Sequence, residues 1–297
     1  MKDLSIVVVN FNTRDLLRGC LMSIYTKLKD LDFEAIVVDN ASLDDSARMV
    51  KQEFPQVNLI VNKENLGFSV ANNQGIEASS GKYILFLNSD IELIDNSLNN
   101  LIKLMEEKKS IGAVGCKLLN PDKTVQPSCG KQLLPSIFIK QLLFGIEKGK
   151  YYLSDYDRER EVDWCTGACL LVRRKSLDDA GHFDEKYFIY YEDNDLCMEL
   201  KKKGWRVYYS PRAQVVHYKA ASREKADEGK IFIENLKSYL HFYKKHYNII
   251  MQLLLRIVIF LYCCLKLLTG LLLFVFGKRS PLMAYVNGIW ISLKGGN

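Results

Sequence analysis

The segment LFLNSDIEL, residues 85–93, ends an apolar run with side chains that could bind a cation. A strand over this run would carry Asn88 and Asp90 to its tip, two residues apart and on the same side. A carboxylate among oxygen ligands suits Mg²⁺ or Mn²⁺, which would share its coordination with a diphosphate. A lone triplet of this kind also caps helices, so a metal site is one of two interpretations.

A second acidic cluster lies in FIYYEDNDLCMELKKKGW, residues 188–205, directly after an aromatic run. The pattern predicts a helix that opens with Glu192, Asp193 and Asp195 and is closed by Gly204. Acidic residues in a first turn complement the helix dipole and cap free N–H groups, which would explain them without any function. On this segment alone, the structural and the functional explanation are equally supported.

Other polar positions follow predicted strands and turns. Asp39 could accept hydrogen bonds from a ribose or a base, although DNAS is also a common turn sequence. In ENLGFSVANNQGI, residues 64–76, asparagines surround a glycine turn and a helix start. His217 ends the last predicted strand, as a metal ligand or as an ordinary hydrogen-bonded residue. The phosphate-binding patterns GxGxxG (after the first strand) and GxxxxGK[ST] are absent from the sequence, so nucleotide recognition would depend on side chains.

The elements that must position these residues follow an alternating rhythm over the first 120 residues. Short β-branched runs predict strands buried on both faces of a parallel sheet, at 4–10, 34–40, 57–62 and 82–90. Helical stretches lie between them, at 14–28, 44–53, 69–79 and 96–108. The alternation predicts an α/β fold with a doubly wound sheet. Because ligands bind beyond the carboxyl ends of such strands, we expect the polar clusters there to form one site.

The pattern is weaker after residue 120. We expect a loop region at 121–161 with one helix near 136–146, then a strand at 162–174 that is broken at Gly167. Two short strands around Pro211 are predicted within 206–218, and a charged helix at 223–246.

Composition and charge limit the class of protein. The 297 residues are 48% hydrophobic and 26% charged, which excludes a disordered chain. From Lys219 onward there are twelve Lys or Arg and four Asp or Glu, a charge of +8, so the first 218 residues carry −2 of the net +6. This distribution argues against a nucleic-acid-binding protein and for a tail that faces an anionic surface.

The eight cysteines show no CxxC and no paired histidine spacing, which argues against zinc. Their scatter favours buried thiols in a reducing compartment over disulfides. The first apolar run, Leu4 to Val9, is too short for a signal peptide, so we expect the body of the protein in the cytoplasm.

The C-terminal part has a different character. Residues 257–277 contain one charge, Lys266, and fourteen Leu, Ile, Val or Phe. At about −0.3 to −0.6 kcal/mol each, these residues outweigh about +3 kcal/mol for a central lysine, so membrane insertion is favoured. A polar helical face also fits a helix that lies in the interface, and it consists of Gln252, Arg256, Cys263, Lys266 and Gly270. A buried helix of a soluble bundle is the third interpretation.

Basic residues flank this apolar stretch at both ends, as contacts to lipid headgroups would: Lys244, Lys245, Lys278 and Arg279. We therefore predict a catalytic domain over 1–246 and a membrane-associated segment over 247–297, with its apolar core at 257–277.

Seven segments, in order, resemble the inverting family 2 glycosyltransferases of the GT-A fold, in particular their rhamnosyltransferase-like branch. They run from residue 4 to about 222 and are SIVVVNFNTRDLLRGCLMSI, IVVDNASLDDS, NLGFSVANNQGI, ILFLNSD, WCTGACLLVRR, FDEKYFIYYEDNDLCMELKKKGW and VVHYKAAS. The resemblance implies a GT-A fold, a mostly parallel sheet flanked by helices, to which membrane-associated C-terminal helices are added.

The resemblance also implies roles for individual residues. The nucleotide-sugar would be bound by Asn10, Asn12, Asp39, Asn65, Gly67, Asn73 and Asn88. A Mg²⁺ or Mn²⁺ ion would be bound by Asp90 and His217. The donor sugar and the acceptor would contact Trp164, Thr166, Gly167 and Glu192. Asp193 would be the catalytic base that deprotonates the acceptor hydroxyl group. Two positions depart from the pattern: Asn88 stands where many relatives have aspartate, and Asn72 where some have arginine.

These implications define the expected function. A hexose, by resemblance rhamnose, would move from a nucleoside-diphosphate sugar to a lipid-linked glycan at the cytoplasmic face of the cell membrane, in cell-surface polysaccharide synthesis. Direct transfer to polyprenyl phosphate is an alternative, and so is a catalytically inactive scaffold in a membrane glycan-assembly complex. No nucleic acid is expected as a partner.

Overall fold

The apolar runs of the sequence form one large sheet in the computed structural model, which describes residues 2–131, 155–219, 228–275 and 281–294. The helix expected near 136–146 lies outside the described residues. The chain divides into two units. The first comprises Met1–Gln132, Tyr152–Glu185 and Glu192–Glu224, and the second comprises Leu133–Tyr151, Lys186–Tyr191 and Lys225–Asn297.

Ten strands form the main sheet of the first unit, and two short strands pair separately. The twelve are β1 (Leu4–Asn10), β2 (Phe33–Asp39), β3 (Asn58–Val61), β4 (Tyr83–Asn88), β5 (Ile91–Leu93), β6 (Ile111–Leu119), β7 (Val125–Gln126), β8 (Cys129–Gly130), β9 (Arg160–Glu161), β10 (Trp164–Cys165), β11 (Cys169–Arg173) and β12 (Arg206–His217). The order in the main sheet is β3-β2-β1-β4-β11-β6-β12-β5, with β7 beside β6 and β9 beside β12. Strands β3, β2, β1 and β4 are parallel, as are β6 and β12, whereas β11 is antiparallel to both of its neighbours.

The described residues form nine helices. They are α1 (Arg14–Lys27), α2 (Ser46–Glu53), α3 (Phe68–Glu77), α4 (Leu98–Glu107), α5 (Arg174–Ala180), α6 (Glu192–Lys202), α7 (Glu228–His246), α8 (Ile249–Val275) and α9 (Leu282–Lys294). The strands and helices predicted for the first 120 residues are confirmed, and so is the helix that begins at Glu192. The sheet is mixed but mostly parallel, which confirms the predicted α/β class.

Continuous apolar runs in the strands explain why both faces of the sheet are covered. Ile6 and Val8 of β1 lie in one core with Leu21 of α1, while Ile36 of β2 packs on the other face with Ala71 of α3. All five side chains are fully buried. A strand buried on both faces needs the continuous apolar run that the sequence provides.

The expectation of two short strands around Pro211 is wrong, because β12 is one strand of twelve residues. Its pairing with β6 is interrupted between Ser210 and Gln214, where the register shifts. Proline has no N–H to donate to a neighbouring strand, and an irregularity accommodates it without ending the strand.

The second unit contains helices α7, α8 and α9 among its described residues. One helix of the described residues, Ile249–Leu272 within α8, is long and apolar enough to cross a membrane. Asn248 caps the start of α8, because its side-chain oxygen accepts a hydrogen bond from the Met251 amide at 3.1 Å.

Gly75 lets α3 approach β1 closely. A Cβ atom at this position would collide with Cγ1 of Val7 and lie 3.1 Å from Cγ2. We expect Gly75→Ala to lower the free energy of unfolding by about 1–3 kcal/mol, as overpacking does. The matched control is Gly19→Ala in α1, where nothing lies within 4 Å of the added atom. That change should raise stability by about 0.5–1 kcal/mol. Denaturant melts of both variants test the packing, and a destabilisation of equal size in both would contradict it.

Candidate active site

The carboxyl ends of β1 and β2 are joined by a pair of buried polar side chains. Parallel register places Asn10 beside Asp39. The amide of Asn10 donates to Oδ1 of Asp39 at 2.8 Å and to the hydroxyl of Ser42 at 3.0 Å. The backbone N–H of Ser42 donates to Oδ2 of Asp39 at 3.1 Å. Each carboxylate oxygen retains a further lone pair, so Asp39 could still accept a hydrogen bond from a ligand.

A second link connects β1 to the tip of β4. The hydroxyl of Thr13 donates to Oδ1 of Asn10 at 2.6 Å and lies 2.7 Å from the hydroxyl of Ser89. Because the Thr13 hydrogen is used on Asn10, Ser89 must donate to Thr13. The segment Asn88–Asp90 is thereby fixed to the same sheet edge as Asn10 and Asp39.

Asn12 shapes the loop beside this pair. Its φ of 55° lies in the left-handed region, which asparagine tolerates better than most residues. Its side-chain oxygen accepts from the Leu43 amide at 2.7 Å, and its own N–H donates to the Ser42 hydroxyl at 2.9 Å. Ser42 therefore contacts Asn10, Asn12 and Asp39, although nothing in its local sequence marked it for this position.

Asn40 follows Asp39 in the polar cluster at the end of β2. It is buried, and its amide group donates to Oδ1 of Asn65 at 2.9 Å and to the carbonyl of Gly67 at 3.0 Å. Its oxygen accepts from the Leu66 amide and from Asn62. Gly67 has a φ of 88°, which a side chain would strain. Asn40 thus holds the loop of Asn65 and Gly67 at the end of β2.

Asn73 is engaged elsewhere. Its amide group donates to the carbonyl of Phe183 at 2.9 Å and to Glu185 at 3.0 Å, and its oxygen accepts from the Phe183 amide at 3.1 Å. Both amide hydrogens are therefore used to tie α3 to the segment 183–185. Its expected contact with a nucleotide-sugar stays a prediction.

Asp90 and His217 lie together at the β5–β12 edge. Nε2 of His217 is 3.2 Å from Oδ1 of Asp90, and both side chains are about 11% exposed. Nδ1 of His217 is 2.6 Å from Oε1 of Gln126, whose amide nitrogen bonds Asn120 at 2.9 Å. Since Gln126 presents an oxygen, Nδ1 carries the hydrogen, and Nε2 faces Asp90.

Asp193, in the first turn of α6, lies beside the segment that precedes β11. The N–H of Gly167 donates to its Oδ2 at 3.0 Å, and the backbone and side-chain nitrogens of Asn194 donate to Oδ1 at 2.7 and 2.9 Å. Burial raises the pKa of Asp193, while these hydrogen bonds and one from Thr166 oppose the rise. Gly167 is held beside the end of β4, because the carbonyl of the next residue, Ala168, accepts a hydrogen bond from the Asn88 amide.

Glu192 has a different environment from its neighbour. It is buried, and its Oε2 has no hydrogen-bond partner among the described residues. Burial, with the charge of Asp193 as a second cause, raises the pKa of Glu192 well above its ordinary value. The two residues before it, Tyr190 and Tyr191, have φ values of 70° and 67°. Two successive non-glycine residues in this region are strained, and such strain is frequent at functional sites.

Trp164 and the tyrosines that precede α6 are engaged in packing. Trp164 is buried and donates from Nε1 to the Lys131 carbonyl at 3.0 Å. Tyr187 is fully buried, and the ring of Tyr191 lies 4.6 Å from that of Tyr239 within the second unit. A role of Trp164 in sugar binding stays a prediction.

Comparisons with known proteins agree with this geometry. Residues 5–181, more than half of the chain, match the family model described as Glycosyl transferase family 2. The chain belongs to this family. It is therefore a glycosyltransferase, a hexosyltransferase by class, and the resemblance read from the seven motifs is confirmed.

This glycosyltransferase is similar to two rhamnosyltransferases and to a solved mannosyltransferase structure, among others. The chain is 29% identical over 231 residues to an N-acetylglucosaminyl-diphospho-decaprenol L-rhamnosyltransferase of Mycobacterium tuberculosis, with 71% of this chain and 75% of the relative covered. It is 36% identical over 137 residues to the rhamnosyltransferase WbbL of Escherichia coli, with 46% and 52% covered. The mannosyltransferase PcManGT of Pyrobaculum calidifontis, solved with GDP-Man and Mn²⁺, superimposes with a TM-score of 0.56 at 17% identity, covering 100% of this chain and 78% of that one. The structural likeness supports the GT-A fold.

The buried carboxyl of Glu192 predicts a pH-dependent stability. Because its pKa is raised in the folded state, its favourable contribution is complete below the ordinary glutamate pKa and is lost as the pH rises toward the folded value. Glu192→Gln should therefore raise Tm at pH 8.5 more than at pH 5, by about 2–4 °C for each kcal/mol regained. The exposed Glu77→Gln is the control and should show no such trend. A constant difference between wild type and Glu192→Gln across pH would contradict the assignment.

Proposed function

We propose that this enzyme transfers a hexose, rhamnose in the first instance, from a nucleoside-diphosphate sugar to a lipid-linked glycan with inversion at the anomeric carbon. The observation that carries the proposal is the position of two acidic sites at one sheet edge. Asp193 is bonded to Gly167 beside the tip of β4, and Asp90 lies two residues beyond the end of that strand. A base at Asp193 and a leaving group bound near Asp90 would therefore lie at the same edge of the sheet, as a single displacement requires.

Asp193 has the properties of the base. Its hydrogen bonds keep the carboxylate in place, and the burial that raises its pKa makes it a better proton acceptor. As the acceptor oxygen attacks, its proton passes to Asp193 and a bond forms from that oxygen to the anomeric carbon. The bond from this carbon to the diphosphate oxygen breaks on the opposite side, and the nucleoside diphosphate leaves with the electron pair.

The residues at the β5–β12 edge fit a divalent cation. With the Nδ1 hydrogen used on Gln126, Nε2 of His217 is directed toward Oδ1 of Asp90, and either a proton on Nε2 or a cation between the two atoms would join them. Two ligands of one octahedral ion with bonds of about 2.1 Å are about 3 Å apart, close to the separation of Nε2 and Oδ1. Mg²⁺ or Mn²⁺ held there would neutralise the charge that develops on the leaving diphosphate.

The nucleotide would lie at the same edge of the sheet, beside the ends of β1 and β2. Asp39 would accept from the ribose or the base, with Asn10 and Asn12 holding the loop that encloses it. The loop of Asn65 and Gly67, fixed by Asn40, would contact the nucleotide-sugar. In parallel sheets this edge is where ligands bind.

The names of the relatives support the choice of substrates. Both are rhamnosyltransferases, and the mycobacterial protein is named for a diphospho-decaprenol acceptor. We therefore assign the enzyme to the synthesis of a cell-envelope polysaccharide at the cytoplasmic face of the membrane. Incubation with a rhamnosyl nucleotide and a lipid-diphosphate-linked N-acetylglucosamine tests this assignment, with polyprenyl phosphate as the competing acceptor. Glycosylation of polyprenyl phosphate alone would refute it.

The base is tested by Asp193→Asn, which keeps the size of the side chain but cannot accept the proton. We expect turnover to fall by about 10²–10⁴ with donor affinity and Tm nearly unchanged. Asp15→Asn is the matched control, since Asp15 also lies in a first helical turn and is exposed. It should keep full turnover. If Asp193→Asn turns over at a near-normal rate, Asp193 is only a first-turn acid.

The cation site is tested by binding as well as by turnover. In the wild type, Mn²⁺ should increase the rise in Tm that a nucleoside diphosphate causes, and Asp90→Asn should abolish that increase. Glu92→Gln, a change two residues away on the exposed side of β5, should leave it intact. EDTA should stop turnover. Full activity in excess EDTA, or a Mn²⁺ effect that survives in Asp90→Asn, would refute the site.

A further inference from the structure

The three described helices of the second unit pack as one bundle. Helix α8 turns back along α7 at residues 247–248, where Gln252 donates to the Tyr247 carbonyl at 2.8 Å. The ring of Phe232 in α7 lies 6.2 Å from that of Tyr262 in α8 and 5.5 Å from that of Tyr285 in α9.

Helix α9 is fixed against the other two helices. A Cβ atom on Gly288 would lie 2.6 Å from the sulfur of Cys263 in α8 and 3.1 Å from Leu236 in α7. The guanidinium of Arg256 donates to the carbonyls of Ser292 and Leu293 at the end of α9, at 2.9 and 2.7 Å. Arg256 and Cys263, two residues of the polar face expected from the sequence, thus lie against α9.

The outer surfaces of the bundle differ in chemistry. Helix α8 exposes a stripe of aliphatic side chains, namely Ile249, Ile250, Leu253, Leu254, Ile257, Leu261, Leu265, Leu268, Leu271 and Leu272. Helix α9 exposes a second stripe, Met283, Val286, Trp290 and Leu293. Helix α7, in contrast, exposes lysines at a spacing of seven residues, Lys230, Lys237 and Lys244. The bundle as a whole is therefore amphipathic, with apolar residues exposed on α8 and α9 and lysines exposed on α7.

This packing opposes a spanning orientation of α8. Tyr262 is the central residue of α8, so a helix that spanned the bilayer would place it, and Phe232 beside it, near the midplane. Lys230 and Lys237 are within five residues of Phe232, about 8 Å along α7, and would lie inside a hydrocarbon layer whose half-thickness is about 15 Å. Charges at that depth are strongly disfavoured. Helix α9, at 13 residues or about 20 Å, is too short to span.

We propose that α8 and α9 lie together in one leaflet of an anionic membrane, parallel to its plane, with α7 on the water side. The apolar stripes of α8 and α9 would enter the acyl region. Trp290, with the Lys294 ammonium 4.0 Å from its ring centre, forms the aromatic and basic pair that is typical of the interface. The charge of +8 from Lys219 onward suits anionic headgroups. Both ends of α8 are then on the same side of the bilayer.

Topology is tested on the full-length protein in sealed membrane vesicles. Pro281→Cys reports on the far end of α8, and Lys51→Cys, on the exposed face of α2, reports on the side of the first unit. An impermeant maleimide should label both cysteines to within twofold without detergent, with the wild type giving the background of the native thiols. At least tenfold protection of one site relative to the other, lifted by detergent, would mean that α8 spans and would overturn the proposal.

The lipid surface is tested by flotation with vesicles of phosphatidylglycerol and phosphatidylcholine. The triple change Met283→Gln, Trp290→Gln and Leu293→Gln affects only exposed residues, so the fold should survive, which circular dichroism checks. We expect at least a tenfold lower vesicle-bound fraction. Unchanged binding would show that α9 does not enter the membrane, and a detergent-free dimer that fails to float would show that a second copy covers this face. Either result would overturn the proposal. Neither readout depends on sugar transfer, so both are separable from the proposed function.

Discussion

The parallel register of β1, β2 and β4 is the constraint on which the rest of the site depends. It pairs Asn10 with Asp39 and Val9 with Asn88, so polar residues that are far apart in sequence end at one edge of the sheet. The apolar runs that precede them exclude water from both faces of the sheet, which fixes the strands as rigid supports. A shift by one residue would reverse every side chain, and the hydrogen bond of Asn10 to Asp39 would be lost.

The strands and helices that could be predicted are those with a local pattern in the sequence. The four strands and four helices predicted for the first 120 residues follow from continuous apolar runs and their spacing, because burial on both faces leaves that signature in the sequence. Strands β5 and β6 in the same range were not predicted. The tips of these strands were predictable for the same reason. The order of the seven motifs then identified the family, which no single motif could do.

The rest depends on contacts between distant residues. Gln126, 91 positions before His217, accepts a hydrogen bond from its Nδ1 atom. The sequence around Gln126 does not indicate this contact. Asn40 and Ser42 appeared to be turn residues, yet they hold the loops on which Asn12 and Asn65 lie. The strain at Tyr190 and Tyr191 has no sequence signature, since aromatic residues seldom adopt a positive φ. The strand prediction around Pro211 was wrong because a shift in the register between β12 and β6 accommodates the proline. That shift depends on the partner strand.

Glu192 and Asp193 are adjacent in sequence, and burial raises the pKa of both, although at Asp193 several hydrogen bonds oppose the rise. Asp193 receives hydrogen bonds from Gly167 and Asn194, which favour the carboxylate, whereas Oε2 of Glu192 is buried without a donor. The neutral form of Glu192 is therefore favoured, and a neutral Glu192 adds no repulsion against a charge on Asp193. These surroundings fit the role proposed for Asp193, because hydrogen bonds favour its carboxylate form while burial raises its pKa and makes it a better proton acceptor. The acidic first turn is thus poorly explained by the helix dipole alone, since the dipole would favour a charge on Glu192 as much as on Asp193.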